Sequence, residues 1–232
     1  MRFAAPTAFP DSRPGARAFN KDFRTNSKLG HRTRPGKSAA VRLLTLKIHE
    51  PLPGLVLPEM AAEHGAEEAA RRYRAIVVTT LRQLRGLADA RLRLAVEPGD
   101  ADEAVRFWLL PRLADRWQTE QSVFRSEGWE IDFGGNSDEF PIRATGEILC
   151  PHLGARWVHA ALLGLGRTTH RVIGPASGGG EYFAAHAVEN STEEFAPRIL
   201  PELPVIQTHD HWHQALNSAL GPALKRAWEE EA

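Results

Sequence analysis

His170 to Val188 reads HRVIGPASGGGEYFAAHAV, and this stretch decides how the chain is read. Val172-Ile173 is a short apolar run of the kind that ends a buried strand, and Gly174-Pro175 is expected to break it. Gly178, Gly179 and Gly180 then permit φ > 0 and close backbone approach. Glu181 to Val188 has the small and aromatic residues of a second strand. The unit is therefore strand, glycine loop, strand. It is not a phosphate fingerprint, because no helix follows the glycines as a dinucleotide-binding turn requires. Gly36-Lys37-Ser38 has the ending of a Walker loop without its beginning, since His31 stands where the first glycine belongs.

Outward from this unit, strands and helices alternate. Val41 to Ile48 (VRLLTLKI) is the first strand, closed by Pro51-Leu52-Pro53-Gly54. Glu63 to Leu87 carries apolar residues at spacings of three and four and is read as one long helix. Arg91 to Val96 alternates as a half-buried strand, and Asp100 is placed to cap a helix over 101–110. Trp129 to Phe133 and Ile142 to Leu149 read as strands, Ala155 to Leu165 as a short helix, and Leu203 to Gln207 as a last strand. Asp210 to Glu229 closes the chain as a helix, with Leu216, Leu220, Leu224 and Trp228 four apart.

Alternation of this kind predicts α/β: a mostly parallel central sheet flanked by helices in three layers, α/β/α. Such sheets bind ligands at the carboxyl ends of their strands. The expected rim is then the loops 49–60, 97–100, 134–141, 150–154 and 174–181.

Composition narrows the class. The 232 residues carry 29 basic and 29 acidic side chains, and 42% are apolar, so one globular domain of ordinary character is expected. No apolar run reaches the length of a membrane span. The single cysteine, Cys150, excludes an internal disulfide, fits a reducing, cytoplasmic setting and reads as a buried, inert thiol. Residues 1–38 are basic, rich in Pro, Gly and Ser and without hydrophobic periodicity. They are expected to be a disordered leader to a domain at 39–232. Nucleic acid is not the expected partner, because such charge runs are usually solvated.

Several rim motifs, in order, resemble a bacterial family of glycosyltransferase-like proteins with the nucleotide-diphospho-sugar transferase (glycosyltransferase A) fold. Some of its members are described as arsenosugar-type glycosyltransferases. The resemblance runs from about Val41 to Trp228. Pro51-Leu52-Pro53-Gly54-Leu55-Val56 keeps the frame of the family's phosphate loop, with Leu57 and Glu59 where it has lysine and arginine. Cys150-Pro151-His152-Leu153 keeps the frame of its metal strand, with Leu149 in place of the aspartate. Gly174-Pro175-Ala176-Ser177-Gly178-Gly179-Gly180-Glu181-Tyr182-Phe183 keeps a third frame, with Gly178 in place of another aspartate. Thr208-His209-Asp210-His211 keeps one acid of a fourth.

The resemblance implies a rim that holds a nucleotide or nucleotide sugar through Pro51, Pro53, Gly54, Pro175, Gly179, Gly180 and Tyr182. It implies a divalent metal cofactor, whose aspartates this chain lacks; hard cations want carboxylate oxygens, not Leu or Gly. The reading is a divergent nucleotide-sugar or nucleotidyl transferase-like protein with a degenerate site, or a non-catalytic partner protein on the same scaffold. Separately, His209 and His211 with Asp210 and Glu181 could hold a transition metal, which imidazole suits. The acids Glu130, Asp132, Asp138 and Glu139 read as solvated surface groups.

Overall fold

The computed structural model describes residues 42–87, 90–163, 165, 169–188 and 196–231; the expected leader lies outside them. Ten strands and six α-helices are found among the described residues. In chain order they are β1 (Arg42–His49), α1 (Pro58–His64), α2 (Ala66–Gln83), β2 (Arg91–Glu97), α3 (Asp102–Leu113), β3 (Gln118–Glu120), β4 (Val123–Ser126), β5 (Trp129–Asp132), β6 (Ile142–Gly146), α4 (Ala155–Leu162), β7 (Arg171–Ser177), β8 (Glu181–Ala187), β9 (Arg198–Ile199), β10 (Leu203–Pro204), α5 (His209–Leu216) and α6 (Gly221–Glu229).

The chain is α/β, a mixed sheet flanked by helices. The strand order is β10-β7-β8-β6-β1-β2-β5-β4-β3, with β9 beside β7. The four central strands β6, β1, β2 and β5 are all parallel, as expected. The flanks bring in antiparallel pairs, β3-β4-β5 on one side and β6-β8-β7 on the other, and β9 and β10 then pair with β7 in parallel. Tight hairpins join β3 to β4, β4 to β5 and β7 to β8, since only antiparallel strands can be joined by a few residues; β8 then returns beside β6.

Strand alternation splits β1 between two environments. Leu44, Leu46 and Ile48 are fully buried and join the core with Ile76, Leu81, Leu94 and Leu153. The helices lie on this side: α2 packs on α1, α3 and α6, and α5 on α1 and α6. On the other side of β1, Thr45 is half-buried and Lys47 and His49 are exposed, and the neighbouring Thr145 of β6 is exposed as well.

Three predicted elements are redrawn. The long helix over 63–87 is two helices, α1 and α2, broken at Gly65, where φ is 88°. The C-terminal helix is likewise divided. A Cβ on Gly221 would lie 1.9 Å from the carbonyl oxygen of Leu216, so the chain must turn there before α6. Gly174-Pro175, in contrast, does not stop β7. The strand runs through to Ser177 with a bulge, and the ring of Tyr182 fills the space beside Gly174, 2.5 Å from where a Cβ would be. Asp100 caps nothing; it lies in a 3-10 turn ahead of α3.

Candidate rim site

Four chain segments meet at the carboxyl edge of the sheet. They are the loop after β1, the turn after β2, residues 147–153 after β6, and the hairpin between β7 and β8. The pairing directions guarantee this, because β7 is antiparallel to β8 and β8 to β6. The expected rim loop 134–141 does not belong with them. Asp132, at the end of β5, pairs in register with Arg93, four residues short of the end of β2. From there the chain doubles back toward Ile142, and Phe140 packs against the guanidinium groups of Arg91 and Arg93 at 5.6 and 5.9 Å. Residues 134–141 thus roof the amino half of the sheet.

The loop after β1 is held from below. Arg74 of α2 donates to the carbonyl of Pro51 at 3.3 Å, and the backbone N–H of His49 donates to the hydroxyl of Tyr73 at 2.8 Å. Burial pushes that hydroxyl well above the usual tyrosine range. Pro51 is buried, whereas Pro53 and Gly54 are exposed and Gly54 has φ 84°. Leu57 is not at the cleft. It is 5% exposed, packs in the core and precedes α1 in a left-handed conformation (φ 48°), while Glu59 lies exposed in the first turn of α1.

In the hairpin, Gly178, Gly179 and Gly180 have φ of 95°, 106° and 80°. Nothing lies within 4 Å of a Cβ built on any of them, so backbone handedness, not crowding, requires glycine here. Ala176 N–H donates to the Gly180 carbonyl and closes the turn. Pro175 is half-buried at the bulge.

Tyr182, expected to meet substrate, faces the core instead. It is fully buried; its hydroxyl accepts from Trp157 Nε1 at 3.0 Å and donates to the Pro201 carbonyl at 3.1 Å. The bulge turns this side chain onto the helix side, where α4 covers it. Leu149 also packs against the core, and its carbonyl accepts from Ile206 N–H. Cys150 is buried, and burial pushes its thiol up to about 12. His152 is half-buried, which lowers its pKa.

Lys47 and Glu147 are ionic groups at the rim that the sequence reading passed over. Lys47, two residues before His49 on the same side of β1, lies 3.0 Å from Glu97 at the end of β2, and His49 lies 3.9 Å from the same carboxylate. The strand period of two that identified β1 also places Lys47 and His49 together. Glu147, immediately after β6, accepts from the Leu149 N–H at 3.2 Å, and its charge raises the pKa of both Tyr73 and Cys150. It puts a carboxylate two residues before the one expected at position 149.

The four residues proposed for a transition metal are not brought together. Glu181 reaches Arg171 at 3.8 Å, in the β7–β8 hairpin. His209 instead opens α5 beside α1 and α2, with its Nδ1 2.5 Å from His64 Nε2 and 3.1 Å from Arg72 Nη1. Thr208 caps α5, accepting from the His211 N–H at 3.2 Å. That geometry turns His211 toward the Gln207 N–H, 3.5 Å from its Nδ1, and leaves Asp210 exposed. Asp132, read as solvated, is buried against Arg93 at 2.8 Å.

Among solved structures, the chain is similar to a protein of Desulfovibrio desulfuricans G20 described as a candidate nucleotide-diphospho-sugar transferase. The two share 20% identity over 83% of this chain and 96% of that one, with a TM-score of 0.56. Weaker likenesses, each at TM-score 0.42, are to 4-diphosphocytidyl-2C-methyl-D-erythritol synthase of Anaerococcus prevotii DSM 20548 (8% identity, 74% of this chain and 95% of that one) and to a protein of Mycobacterium tuberculosis H37Rv (11%, 77% and 100%). Neither known protein families nor characterised proteins gave a match by sequence. The first likeness establishes the fold, and the fold alone.

Proposed function

We propose that the carboxyl edge is a nucleotide or nucleotide-sugar binding rim in a transferase-like protein whose metal-dependent chemistry has decayed. The observation that carries this is the convergence of the Pro51–Gly54 loop, Lys47, Glu147 and the glycine hairpin on one open edge of a nucleotide-diphospho-sugar transferase fold. Parallel sheets take ligands at this edge. Lys47 is the rim's available cation for a diphosphate, released when the ligand displaces Glu97. The losses at positions 57, 149 and 178 run deeper than missing charge: Leu57 and Leu149 are packing residues, and Gly178 holds a φ that disfavours aspartate. Restoring the family's residues at these places would therefore cost stability without rebuilding a metal site.

A thermal-shift panel of nucleoside diphosphates and nucleotide sugars, with and without manganese, tests the reading. Expected is a modest, manganese-independent rise in Tm that Lys47→Ala abolishes. No shift with any nucleotide would sink it, and a strong manganese-dependent one would show that the chemistry has not decayed. The second reading, a non-catalytic partner protein, is favoured by one feature: Leu52 and Leu55 stand exposed in the loop after β1, an apolar pair at the mouth of the rim.

A further inference from the structure

The break at Gly65 leaves His64 at the last turn of α1, against the first turn of α5. There His64 Nε2 and His209 Nδ1 face one another at 2.5 Å, with ring centroids 4.0 Å apart. Glu63 brings a carboxylate oxygen to 3.6 Å from the same His64 nitrogen. One donor atom from each of the three residues falls within a sphere where all lie less than 4.8 Å apart. The ring of His213, one turn after His209, stands edge-on to it at 4.2 Å and braces its orientation.

Ordinary hydrogen bonding does not account well for this cluster. An imidazole nitrogen that accepts has a single in-plane lone pair. The Nδ1 of His209 is approached both by Arg72 Nη1 and by His64 Nε2, and the second approach is shorter than the 2.7–3.2 Å typical of N–H donors. Two ring nitrogens converging beside a carboxylate are instead a donor set for a borderline divalent ion.

We propose that Glu63, His64 and His209 bind one transition-metal ion of the zinc type. Zinc bonds to imidazole at about 2.0–2.1 Å in tetrahedral sites, which sets the two nitrogens roughly 3.3 Å apart, so the rings need to part by less than about 1 Å. Arg72 has somewhere to go: its Nε already donates to Glu68 at 2.7 Å. Glu63 and Glu68 supply two negative charges against the ion and Arg72, with Glu68 also shared by Arg71 at 3.9 Å. His64 is partly exposed and Glu63 more so, which gives the ion a path from solvent and leaves room for a fourth ligand. The ion would pin α1 to α5. Imidazole ligands select zinc, cobalt or nickel over magnesium or calcium, so this site is distinct in chemistry from any metal at the rim. The inference does not rest on nucleotide binding.

The full chain, stripped with a chelator, is to be titrated with zinc by calorimetry and with cobalt by visible absorption. Expected are one equivalent bound and the ligand-field bands of four-coordinate cobalt. His64→Ala and His209→Ala should each weaken binding by about 100-fold or more. His211→Ala, whose ring points to Gln207, should leave it unchanged. If an alanine variant fails to fold, Glu63→Gln keeps the shape and should still weaken the ion and alter the cobalt bands. Absence of stoichiometric binding by the unmodified chain, or binding that survives His64→Ala and His209→Ala together, overturns the proposal.

Discussion

Lys47–Glu97 and Arg93–Asp132 lie on the same face of the sheet, and their β2 members, Glu97 and Arg93, are two pleats apart. Both are cross-strand ion pairs of nearly equal length, 3.0 and 2.8 Å. The outer pair is 71% and 44% exposed; the inner pair is 8% and 6% exposed. What differs is the roof. Residues 134–141 fold over the inner pair, Phe140 lies over Arg93, and Asp132 also accepts from the Gly134 N–H at 3.0 Å. Nothing comparable covers the outer pair among the described residues. One sheet face thus gives two settings: inside, charges committed to holding a loop; outside, charges left open to solvent.

Breaking the inner pair should have the largest effect. Asp132→Ala leaves the Arg93 guanidinium buried without its partner, and the expected loss is about 3–5 kcal/mol in denaturant unfolding. Replacing both partners with apolar residues of similar size should restore most of it. A loss below about 1 kcal/mol for Asp132→Ala would show that water reaches the pair and that the two levels are alike after all.

The covered side of the sheet sharpens the contrast through pH. Cys150 has its thiol raised by burial from 9.0 to about 12. Between those values the unfolded chain gives up the proton and the folded one keeps it. The unfolded state then binds fewer protons, so this contribution to stability, full below pH 9, falls as pH rises toward 12. Unfolding measured across that window should show a slope that Cys150→Ala flattens. An unchanged slope would mean that the thiol is reached by solvent.

The outer pair should matter least to folding. Lys47→Ala is expected to change stability by no more than about 1 kcal/mol, since exposed pairs contribute little. On the proposed reading, its effect falls on nucleotide binding instead. A Lys47→Ala protein as destabilised as Asp132→Ala would erase the distinction between the two levels.

How much of this the sequence revealed follows from the range of each interaction. The strands β1, β2, β5, β6, β7 and β8 are legible because apolar runs and alternation are local signals. The division of two helices was not, because Gly65 and Gly221 act through backbone geometry rather than pattern. The hairpin β3–β4 passed unread, its strands being short and largely polar, at an edge of the sheet. The glycine loop was located correctly, but its reason was a choice between handedness and close approach, and only φ decides that. The sequence groups His209 with Asp210, His211 and Glu181, yet the side chains beside it are those of Glu63 and His64, about 145 residues away at the end of a helix not expected to end there. Lys47 was hidden by being an ordinary member of a good strand. Tyr182 was drawn to the rim by its motif and taken away by a bulge.

Glu231 follows the last turn of α6, and only 2% of its side chain is exposed. It is shared by Arg74 of α2 at 2.8 Å and by Arg112 of α3, which grips it with two nitrogens. Arg74 in turn holds the carbonyl of Pro51 at the rim. Ribosomal synthesis delivers these pieces in the opposite order to their dependence: both arginines are made long before the carboxylate that unites them. A nascent chain therefore carries two partly buried guanidinium ions without the buried carboxylate they share. The rim loop, encoded near the beginning of the fold, receives its final support from a residue made only after the last helix of that fold.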